Sequence, residues 1–465
     1  MKETFFPDFW CNFVFDFPEY ASVPSTNLAE VMQKSNGSTK PAISIAPQQP
    51  LSMMRQSFNI EDANIPIPEE LLEIYKSYRP TPLKKANKFK QAHSLKSDIY
   101  YKYEGGNISG SHKLNTAFAQ AYYYKKAGAK HLISGTGAGQ WGTALAYACN
   151  AFGLKCTIFM VGISARQKSQ RLEMMRCFGG RVFESPSNET VVGRRALNDD
   201  ANHPGTLAIA TGEALELARA IEGGHFAVGS GENCVLLHQT LIGIEAERQL
   251  SAINVFPDAV VACMGAGSNF AGISMPILRQ ARLLGKPIRL VAAEPLSCPK
   301  MTRGAYVYDI NDFSGTTPLT KMYTLGSDFV APPIYAGGLR YHGTSPFLSA
   351  MHANKHSEAV AIGEEEALQA GLSFSKNEGI LPAPESAHAI AAALRLANEP
   401  DRSRPKTILI NISGHGLFDV EAYGSLNRGT LEPDLDEADL DASLTKCKAF
   451  SRIVEKAMTR TDSGN

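Results

Sequence analysis

The chain has 465 residues, of which 44% are hydrophobic, and this length predicts two packed domains with terminal extensions rather than one small core. Lys plus Arg and Asp plus Glu number 46 each, so the net charge of zero favours neither nucleic acid nor an anionic membrane as a partner. The eight cysteines are scattered without a C-x-x-C pair or a zinc-ligand spacing, and no apolar run is long enough to span a bilayer. We therefore expect a reduced, cytoplasmic protein without a metal site of that kind.

Residues 1–60 form a predicted N-terminal extension, because clusters of Ser, Pro and Asn such as SNGSTKPAISIAPQQP support partial order at most. A regular pattern begins at IPIPEELLEIYKSY, where Pro68 lies at the start of a short helix with two glutamates in its first turn. Pro80 and Pro82 then favour extended backbone ahead of DIYYKYE, which is typical of a strand.

Residues 61–235 are predicted to form an N-terminal α/β domain. From Lys113 onward the expected order is helix LNTAFAQAYYYKKAGA, strand HLISG, helix QWGTALAYACNAFG, strand LKCTIFMVG, helix SARQKSQRLEMMRCFGG and strand RVFESP. This alternation of short apolar runs with amphipathic helices indicates a mostly parallel sheet.

Residues 236–430 repeat the rhythm and predict a second α/β domain. The expected order is strand DAVVACMGAG, helix SNFAGISMPILRQARLLG, strand PIRLVAAEP, helix ESAHAIAAALRLANE and strand KTILINISGHG. Residues 299–356, with many Gly, Pro and Tyr, are predicted to be loop-rich, and a loop region of that length is usually functional. Within it, Arg340 and His342 are candidate substrate or lid contacts, with an ordinary surface loop as the alternative. Residues 431–465 are predicted to be an acidic tail that ends in a helix-like segment.

The segment GNISGSHKLNTA places one lysine, Lys113, between a Gly/Ser loop and an apolar helix. Lysine suits Schiff-base chemistry because burial or a neighbouring cation lowers its pKa and frees the amine. His112 lies beside it and offers a further polar contact. The alternative for a lone lysine at the start of a helix is a solvated charge.

Two glycine turns, in SGTGAGQWG and CMGAGSNFAG, run directly into predicted helices. Free N–H groups and the helix dipole then point at one spot, which suits a carboxylate or a phosphate. Thr136 and Gln140 add side-chain donors in the first turn, while Ser268 and Asn269 can cap the helix or contact a phosphate in the second. In each case the alternative is a tight strand–helix turn that needs glycine for steric reasons alone.

Two further segments follow near the end of the second domain. Ser413 ends a buried strand, where open α/β sheets place ligands, and its hydroxyl could bond a neutral ring nitrogen. Glu378, Glu385 and His388 cluster next to two prolines in EGILPAPESAHAI. Glu385 could face a cofactor, and the alternative is N-terminal helix capping.

Taken together and in this order, these segments resemble the β chain of tryptophan synthase, and more closely the divergent second form of that chain. The segments that carry the resemblance are GSHKLNTA, GTGAGQWG, LLHQT, GSNFAG, EPLSCPKMTRGAYVYD, AGGLRYHG, EGILPAPESAHAI and SGHG. The resemblance extends from about Ile65 to Tyr423. It implies an α/β fold of fold type II among the pyridoxal-phosphate enzymes, with two parallel-sheet domains and the cofactor between them.

The resemblance also implies roles for individual residues, beginning with Lys113 as the catalytic Schiff-base lysine. The residues implied to bind pyridoxal 5'-phosphate are His112, Lys113, Gly265, Ala266, Gly267, Ser268, Asn269, Glu385 and Ser413. Those implied to bind the amino acid substrate are Thr136, Gly137, Ala138, Gly139, Gln140 and Trp141. Many members bind a monovalent cation as well. Members are usually homodimers or parts of larger complexes, and the sequence does not say whether an α-type partner subunit exists.

One position departs from the family. The family's loop reads Glu-Thr-Gly-Ala-Gly-Gln, whereas this chain has Gly135 in place of the glutamate that is credited with helping the serine hydroxyl leave. Loss of a general acid or base costs on the order of 10²–10⁴ in rate. We therefore expect β-elimination or β-replacement on serine or an activated serine-like amino acid, through an aminoacrylate, with an acceptor other than indole. The missing side chain is expected to open room for that acceptor. The alternatives are tryptophan formation from serine and indole, and a non-catalytic pyridoxal-phosphate-binding protein.

Overall fold

The structure, a computed structural model, describes residues 5–21, 49–431 and 435–462. The strands of this part of the chain are β1 (Phe9–Cys11), β2 (Asn64–Pro66), β3 (Leu83–Lys85), β4 (Asp98–Tyr103), β5 (His131–Thr136), β6 (Lys155–Val161), β7 (Arg181–Ser185), β8 (Gly224–Phe226), β9 (Ala259–Cys263), β10 (Arg289–Pro295), β11 (Ala305–Asp309), β12 (Thr320–Thr324), β13 (Glu358–Ile362) and β14 (Thr407–Ile412).

The α-helices of the same residues alternate with these strands. They are α1 (Phe13–Asp16), α2 (Leu51–Ser57), α3 (Glu69–Lys76), α4 (Asn87–Ala92), α5 (Lys113–Lys126), α6 (Gln140–Ala151), α7 (Gly162–Gln167), α8 (Ser169–Cys177), α9 (Val191–Asp199), α10 (Leu207–Ala220), α11 (Asn233–His238), α12 (Leu241–Ser251), α13 (Ser268–Leu283), α14 (Pro346–Ala353), α15 (Glu364–Glu378), α16 (Pro384–Ala397), α17 (Val420–Arg428) and α18 (Glu437–Asp462).

A six-stranded sheet in the order β13-β10-β9-β14-β4-β3 forms the larger α/β layer. Its pairs are parallel except at the edge, where β3 runs antiparallel to β4. The alanine-rich helix α16 packs against β9 and β14, because its small side chains allow close approach to the buried strands. The carboxyl ends of β4, β9 and β14 therefore lie side by side.

A four-stranded, wholly parallel sheet in the order β7-β6-β5-β8 forms the smaller layer. Strands β5 and β8 are neighbours, so the turns that follow them emerge next to each other. Both sheets are covered by helices, which is the arrangement that buried parallel strands require. The predicted α/β class with mostly parallel sheets is confirmed.

Most elements predicted from the sequence are present, and two differ. The predicted helix SARQKSQRLEMMRCFGG is two helices, α7 and α8, because Lys168 leaves helical backbone at φ −136° and ψ 53°. Residues 299–356 are not loops throughout, since β11 and β12 form an antiparallel hairpin and α14 follows it. Tyr and Thr residues in this hairpin supply the β-propensity that the glycines and prolines around it obscured.

Both chain ends are more ordered than the sequence indicated. Strand β1 pairs with β2, and Trp10 and Phe13 are buried in the core, so residues 5–21 are an integral part of the fold. Most of the Ser/Pro cluster SNGSTKPAISIAPQQP lies outside the described residues. Within the predicted acidic tail, residues 437–462 form α18, which packs its apolar face on β11.

The predicted boundary between residues 235 and 236 stays a prediction. Strands β3 and β4 precede it but pair within the six-stranded sheet, whose other members all follow it. No described helix is both long and apolar enough to cross a membrane.

Candidate active site

One cavity of about 550 Å³ lies where the carboxyl ends of the two parallel sheets face each other. Turns that follow β5, β8, β9 and β14 line it, together with the start of α5. Every residue to which the family resemblance assigned cofactor or substrate binding, except Gly139, is on the cavity wall. The topology thus brings together residues from opposite ends of the chain, although their individual roles stay predictions.

Lys113 is the first residue of α5 and projects its amine into this cavity. The Nζ atom donates to the carbonyl oxygen of Gly229 at 2.6 Å and to Ser268 Oγ at 2.8 Å. Neither partner is charged, and burial lowers the pKa of Lys113 to about 8. The amine can therefore exist in its neutral, nucleophilic form close to neutral pH.

His112 lies next to this amine and is buried. Its backbone N–H donates to the carbonyl oxygen of Ser413 at 2.8 Å, and Nε2 lies 3.3 Å from Ser268 Oγ. Burial and then the positive charge of Lys113 lower the pKa of His112 to about 3. The ring is therefore neutral at physiological pH and acts as a hydrogen-bonding group rather than a charge.

The turn between β9 and α13 forms a concave surface of backbone N–H groups. The amides of Gly265, Ala266 and Gly267 donate to no described residue, and they lie at the N-terminus of α13. A side chain at position 265 would place its Cβ 2.6 Å from the carbonyl oxygen of Gly338, so this position of the turn requires glycine. Unpartnered donors at a helix N-terminus fit a phosphate group.

Ser268 and Asn269 do not cap α13 as expected. Ser268 is already the first helical residue, and its hydroxyl accepts from Lys113. The Asn269 side chain donates to the carbonyl oxygen of Cys263 at 3.1 Å and accepts from Asn411 at 2.6 Å. These bonds fix the shape of the turn and leave its N–H groups free for a ligand.

The turn between β5 and α6 has similar geometry. Gly139 precedes α6 with φ +91°, and the amides of Gly137, Ala138 and Gly139 donate to no described residue. Thr136 Oγ1 accepts from the N–H of Gly142 at 3.2 Å, so its hydroxyl supports the turn from within. This turn fits a second anion, and a substrate carboxylate is the expected one.

Trp141 and Gln140 contribute differently from each other. The indole N–H of Trp141 donates to Ser134 Oγ at 2.7 Å, so the ring serves the cavity as a wall and not as a donor. The Gln140 amide donates to Glu385 Oε1 at 3.1 Å, which links the two sides of the site.

Ser413 ends β14 with its hydroxyl among neutral groups. Its Oγ lies 2.9 Å from Ser386 Oγ and 3.5 Å from Cys263 Sγ. Burial raises the pKa of Cys263 to about 11, so that thiol stays protonated. Among the described residues, no carboxylate bonds Ser413. A ring nitrogen beside Ser413 would therefore stay neutral, because no acidic group is there to hold it protonated.

Glu385 is buried at the start of α16. Its Oε1 accepts from the N–H of Gly338 at 2.8 Å, and Lys168 Nζ lies 4.0 Å away. Burial opposes the charge, but the Lys168 ammonium and these hydrogen bonds lower the pKa of Glu385 overall. Lys168, which the sequence analysis missed, is also 2.5 Å from Asp419. The break between α7 and α8 therefore places a buried cation near the site.

Gly135 does not open room in the cavity, contrary to the expectation from the sequence. A Cβ atom at this position would lie 2.8 Å from the carbonyl carbon of Ala210 and 2.9 Å from the backbone nitrogen of Thr211. The backbone of α10 thus occupies the place of a side chain. No local pattern indicates this contact, because it joins segments that are distant along the chain.

Four other candidates lie away from the cavity wall. Glu378 accepts from the N–H of Phe89, and His388 Nδ1 bonds the carbonyl oxygen of Pro384 within α16. His342 Nε2 bonds the carbonyl oxygen of Ile310 at 2.9 Å, and Arg340 bonds Ser164 Oγ. Through these contacts, each of the four side chains stabilises a loop or a helix.

The turn after β8 contributes functional groups that the sequence analysis overlooked. Gly229 accepts from Lys113, and Ser230 Oγ accepts from the N–H of Ser268 at 3.3 Å. Glu232 follows them on the cavity wall. The signal was present in the sequence, since HFAVGSGENCVLLH is a strand, a glycine turn and a helix like the turns already recognised.

Comparison with known proteins identifies relatives over most of the chain. A family model described as pyridoxal-phosphate dependent enzyme matches residues 74–414. The tryptophan synthase beta chain of Thermosipho africanus is 49% identical, covering 80% of this chain and 88% of that protein. Tryptophan synthase beta chain 2 of Thermotoga maritima is 48% identical with the same coverage of both chains. The beta chain 2 of Methanosarcina mazei is 46% identical, covering 82% and 86%.

A solved structure gives the fold independently. The crystal structure of a threonine deaminase from T.th. matches with a TM-score of 0.55 at 20% identity, covering 74% of this chain and 96% of that one. At this identity the likeness concerns the fold alone. With the family match, it confirms the prediction of fold type II.

Proposed function

Because the chain belongs to the tryptophan synthase beta chain family of pyridoxal-phosphate-dependent enzymes, we propose that it catalyses β-elimination or β-replacement on serine or an activated serine-like amino acid. The observation that carries the proposal is the amine of Lys113, whose pKa is lowered to about 8 between two turns of unpartnered N–H groups. One turn would bind the cofactor phosphate and the other the substrate carboxylate.

Pyridoxal 5'-phosphate, when bound, withdraws electrons from the amino acid and makes its Cα proton acidic. The residues of the 265–269 turn and His112 would hold the phosphate, and Ser413 would face the ring nitrogen. Lys113 would bind the cofactor through its amine. Lys113 would also be the base that takes the Cα proton of the bound amino acid.

The rest of the reaction follows from the bonds that change. The electron pair of the Cα–H bond forms a Cα=Cβ double bond, and the β substituent leaves with the electron pair of its own bond to Cβ. A nucleophile then bonds to Cβ through its own electron pair, and a proton returns to Cα. Gly135 offers no acid to the leaving group. Acetate and phosphate are therefore better leaving groups here than hydroxide, which needs a proton.

The test uses purified holoenzyme with L-serine, O-acetyl-L-serine and O-phospho-L-serine in turn. Pyruvate release without a nucleophile and a β-substituted amino acid with one are the expected products, measured by coupled assay and mass spectrometry. We expect the two esters to react faster than serine, and Lys113→Ala to be inactive with all three. No turnover of any of them by the wild-type holoenzyme contradicts the proposal.

Tryptophan formation from serine and indole is the second candidate, and the 43–51% identity to proteins named tryptophan synthase beta chain favours it. The same holoenzyme incubated with L-serine and indole tests it directly. Tryptophan produced at a rate comparable with that of any other acceptor supports this candidate, and no tryptophan under conditions in which pyruvate is released excludes it.

The oligomeric state, the bound cation and the cellular location remain predictions from the family. A homodimer, a monovalent cation and a cytoplasmic location are expected, and an α-type partner subunit is left open. Sedimentation of the holoenzyme tests the first of these, and activity in sodium, potassium and caesium salts tests the second.

A further inference from the structure

Three charged side chains line the cavity in the described part of the chain, and two of them are engaged by the protein. Lys113 donates to Gly229 and Ser268, and Glu385 accepts from Gly338 and Gln140 with Lys168 nearby. The third, Glu232, makes no hydrogen bond or ion pair with any residue that the structure describes. Its charge is therefore available to pair with a ligand in the cavity.

Glu232 lies on the cavity wall directly ahead of a helix. It is the residue before α11, with φ −75° and ψ 143°, and its side chain does not cap that helix. The side chain is accessible, yet burial raises its pKa.

The groups that feel the charge of Glu232 are all neutral. After burial, it contributes to raising the pKa of Cys234, and more weakly those of Tyr124 and Tyr341. Tyr341 is itself held by Asn311 at 2.6 Å across the cavity wall. Lys113 responds to burial and Cys263 and not to Glu232, so the carboxylate is not the counter-charge of that amine.

Glu232 is not one of the residues that would hold the cofactor phosphate or the substrate carboxylate. The wall of the cavity is mainly apolar and includes Phe226, Val228 and Leu215. A carboxylate in such surroundings is costly without a partner, and a charge-assisted hydrogen bond from a cation offsets that cost.

We propose that Glu232 recognises the acceptor, and that the nucleophile joined to the amino acid carries a cationic nitrogen group on an otherwise apolar frame. The role of this molecule as an acceptor rests on the proposed function. The binding of such a cation in the cavity does not depend on turnover. Neutral and anionic molecules of the same shape would leave the carboxylate unpaired and are disfavoured for that reason.

Binding is measured first, by titration calorimetry on the holoenzyme with N,N-dimethylbenzylamine and with the neutral N,N-dimethylbenzamide. We expect the cation to bind the wild type at least about tenfold more tightly than the amide, which corresponds to about 1.4 kcal/mol. Glu232→Gln should abolish this preference, and Glu232→Asp should retain part of it. Glu222→Gln removes a surface carboxylate and is the control. Equal binding of cation and amide by the wild type, or a preference kept in Glu232→Gln, overturns the inference.

Turnover is measured second, with O-acetyl-L-serine and two thiols of matched shape. These are 4-[(dimethylamino)methyl]benzenethiol, which is cationic, and 4-(2-methylpropyl)benzenethiol, which is neutral. We expect kcat/KM for the cationic thiol to exceed that for the neutral one in the wild type and to fall to the same value in Glu232→Gln. The control Glu222→Gln should release pyruvate without thiol at the wild-type rate. If neither protein releases pyruvate, the proposed function fails while the calorimetry still decides the role of Glu232. If the thiols react equally in the wild type, the inference fails and the proposed function stands.

Discussion

At the scale of single residues, Lys113 and Gly135 are set by what surrounds them. Lys113 acquires a reactive amine from burial among neutral hydrogen-bond acceptors, without a neighbouring acid to hold its proton. Gly135 is required because the backbone of α10 lies where a Cβ atom would be.

The lowered pKa of Lys113 predicts the pH dependence of cofactor uptake by the apoenzyme. Only the neutral amine attacks the cofactor's aldehyde, and its fraction rises about tenfold per pH unit up to a pKa of about 8 and then levels off. An ordinary lysine, with a pKa of about 10.4, would still be gaining reactivity at pH 10. Borohydride trapping between pH 6 and pH 10, with the labelled peptide identified by mass spectrometry, measures this. A rate that still climbs above pH 9, or a label on a lysine other than Lys113, contradicts the prediction.

Gly135→Ala should destabilise the enzyme by about 1–3 kcal/mol, because the added methyl group overlaps backbone atoms of α10 that cannot rotate away. Gly106→Ala is the matched control, since its Cβ would meet only the Tyr103 side chain at 3.5 Å. Urea unfolding of both variants gives the comparison.

Gly135→Glu should lower tryptophan formation and not raise it, in contrast to the simple view that the missing carboxylate need only be restored.

Residues that follow a strand directly could be predicted from the sequence, because a glycine turn after an apolar run is a local pattern. Ser413 and the two turns beginning at Gly137 and Gly265 were found in this way, whereas Lys113 was found at the junction of a Gly/Ser loop and an apolar helix. The contact between Gly135 and Ala210 could not, since it depends on how a distant helix packs. Glu232 was missed because its importance depends on β8 being the parallel neighbour of β5.

At the scale of elements, a buried group of four charges joins β4 to α12. Arg79 donates to Glu245 Oε1 at 2.7 Å and to Glu104 Oε2 at 2.9 Å, and Lys102 donates to Glu245 Oε2 at 2.7 Å. The side chains involved have no solvent exposure. Burial opposes the charge of Glu104, but Arg79 lowers its pKa to about 2, so Glu104 is ionised throughout the physiological range.

Arg79→Met should therefore cost about 3–5 kcal/mol of unfolding free energy, because it leaves two carboxylates buried with one cation. Arg289→Met is a close control, since Arg289 also binds two glutamates but its side chain is 30% exposed. There we expect a loss of about 1 kcal/mol or less. Similar losses for the two variants would show that burial does not determine the strength of these pairs.

At the scale of the whole molecule, the C-terminal helix supports a wall of the cavity. Leu440, Leu444 and Val454 of α18 are buried, and the Ser451 hydroxyl accepts from the N–H of Tyr308 at 3.1 Å. The β11–β12 hairpin beneath it is joined by a loop that carries cavity residues, including Asn311. The charge pattern of the sequence indicated a tail because the acidic run before α18 outweighs the apolar stripe within it.

Leu440→Ala should lower the unfolding free energy by about 2–5 kcal/mol, because it leaves a void between α18 and the hairpin. Hydrogen exchange should also quicken in β11 and β12. Leu284→Ala, at a position that is 50% exposed, should change stability by no more than about 0.5 kcal/mol. Unchanged exchange in the hairpin despite the loss of stability would show that α18 does not support that wall.

The close approach of α10 to Gly135 also restricts how this enzyme can evolve. Any single substitution at position 135 meets the backbone of Ala210 and Thr211 before it can offer a new functional group. A descendant of this chain gains a side chain there without cost only after substitutions elsewhere have moved the helix aside. The order of mutations thus matters. New functional groups are more accessible by substitution elsewhere on the cavity wall, where Glu232 already supplies one.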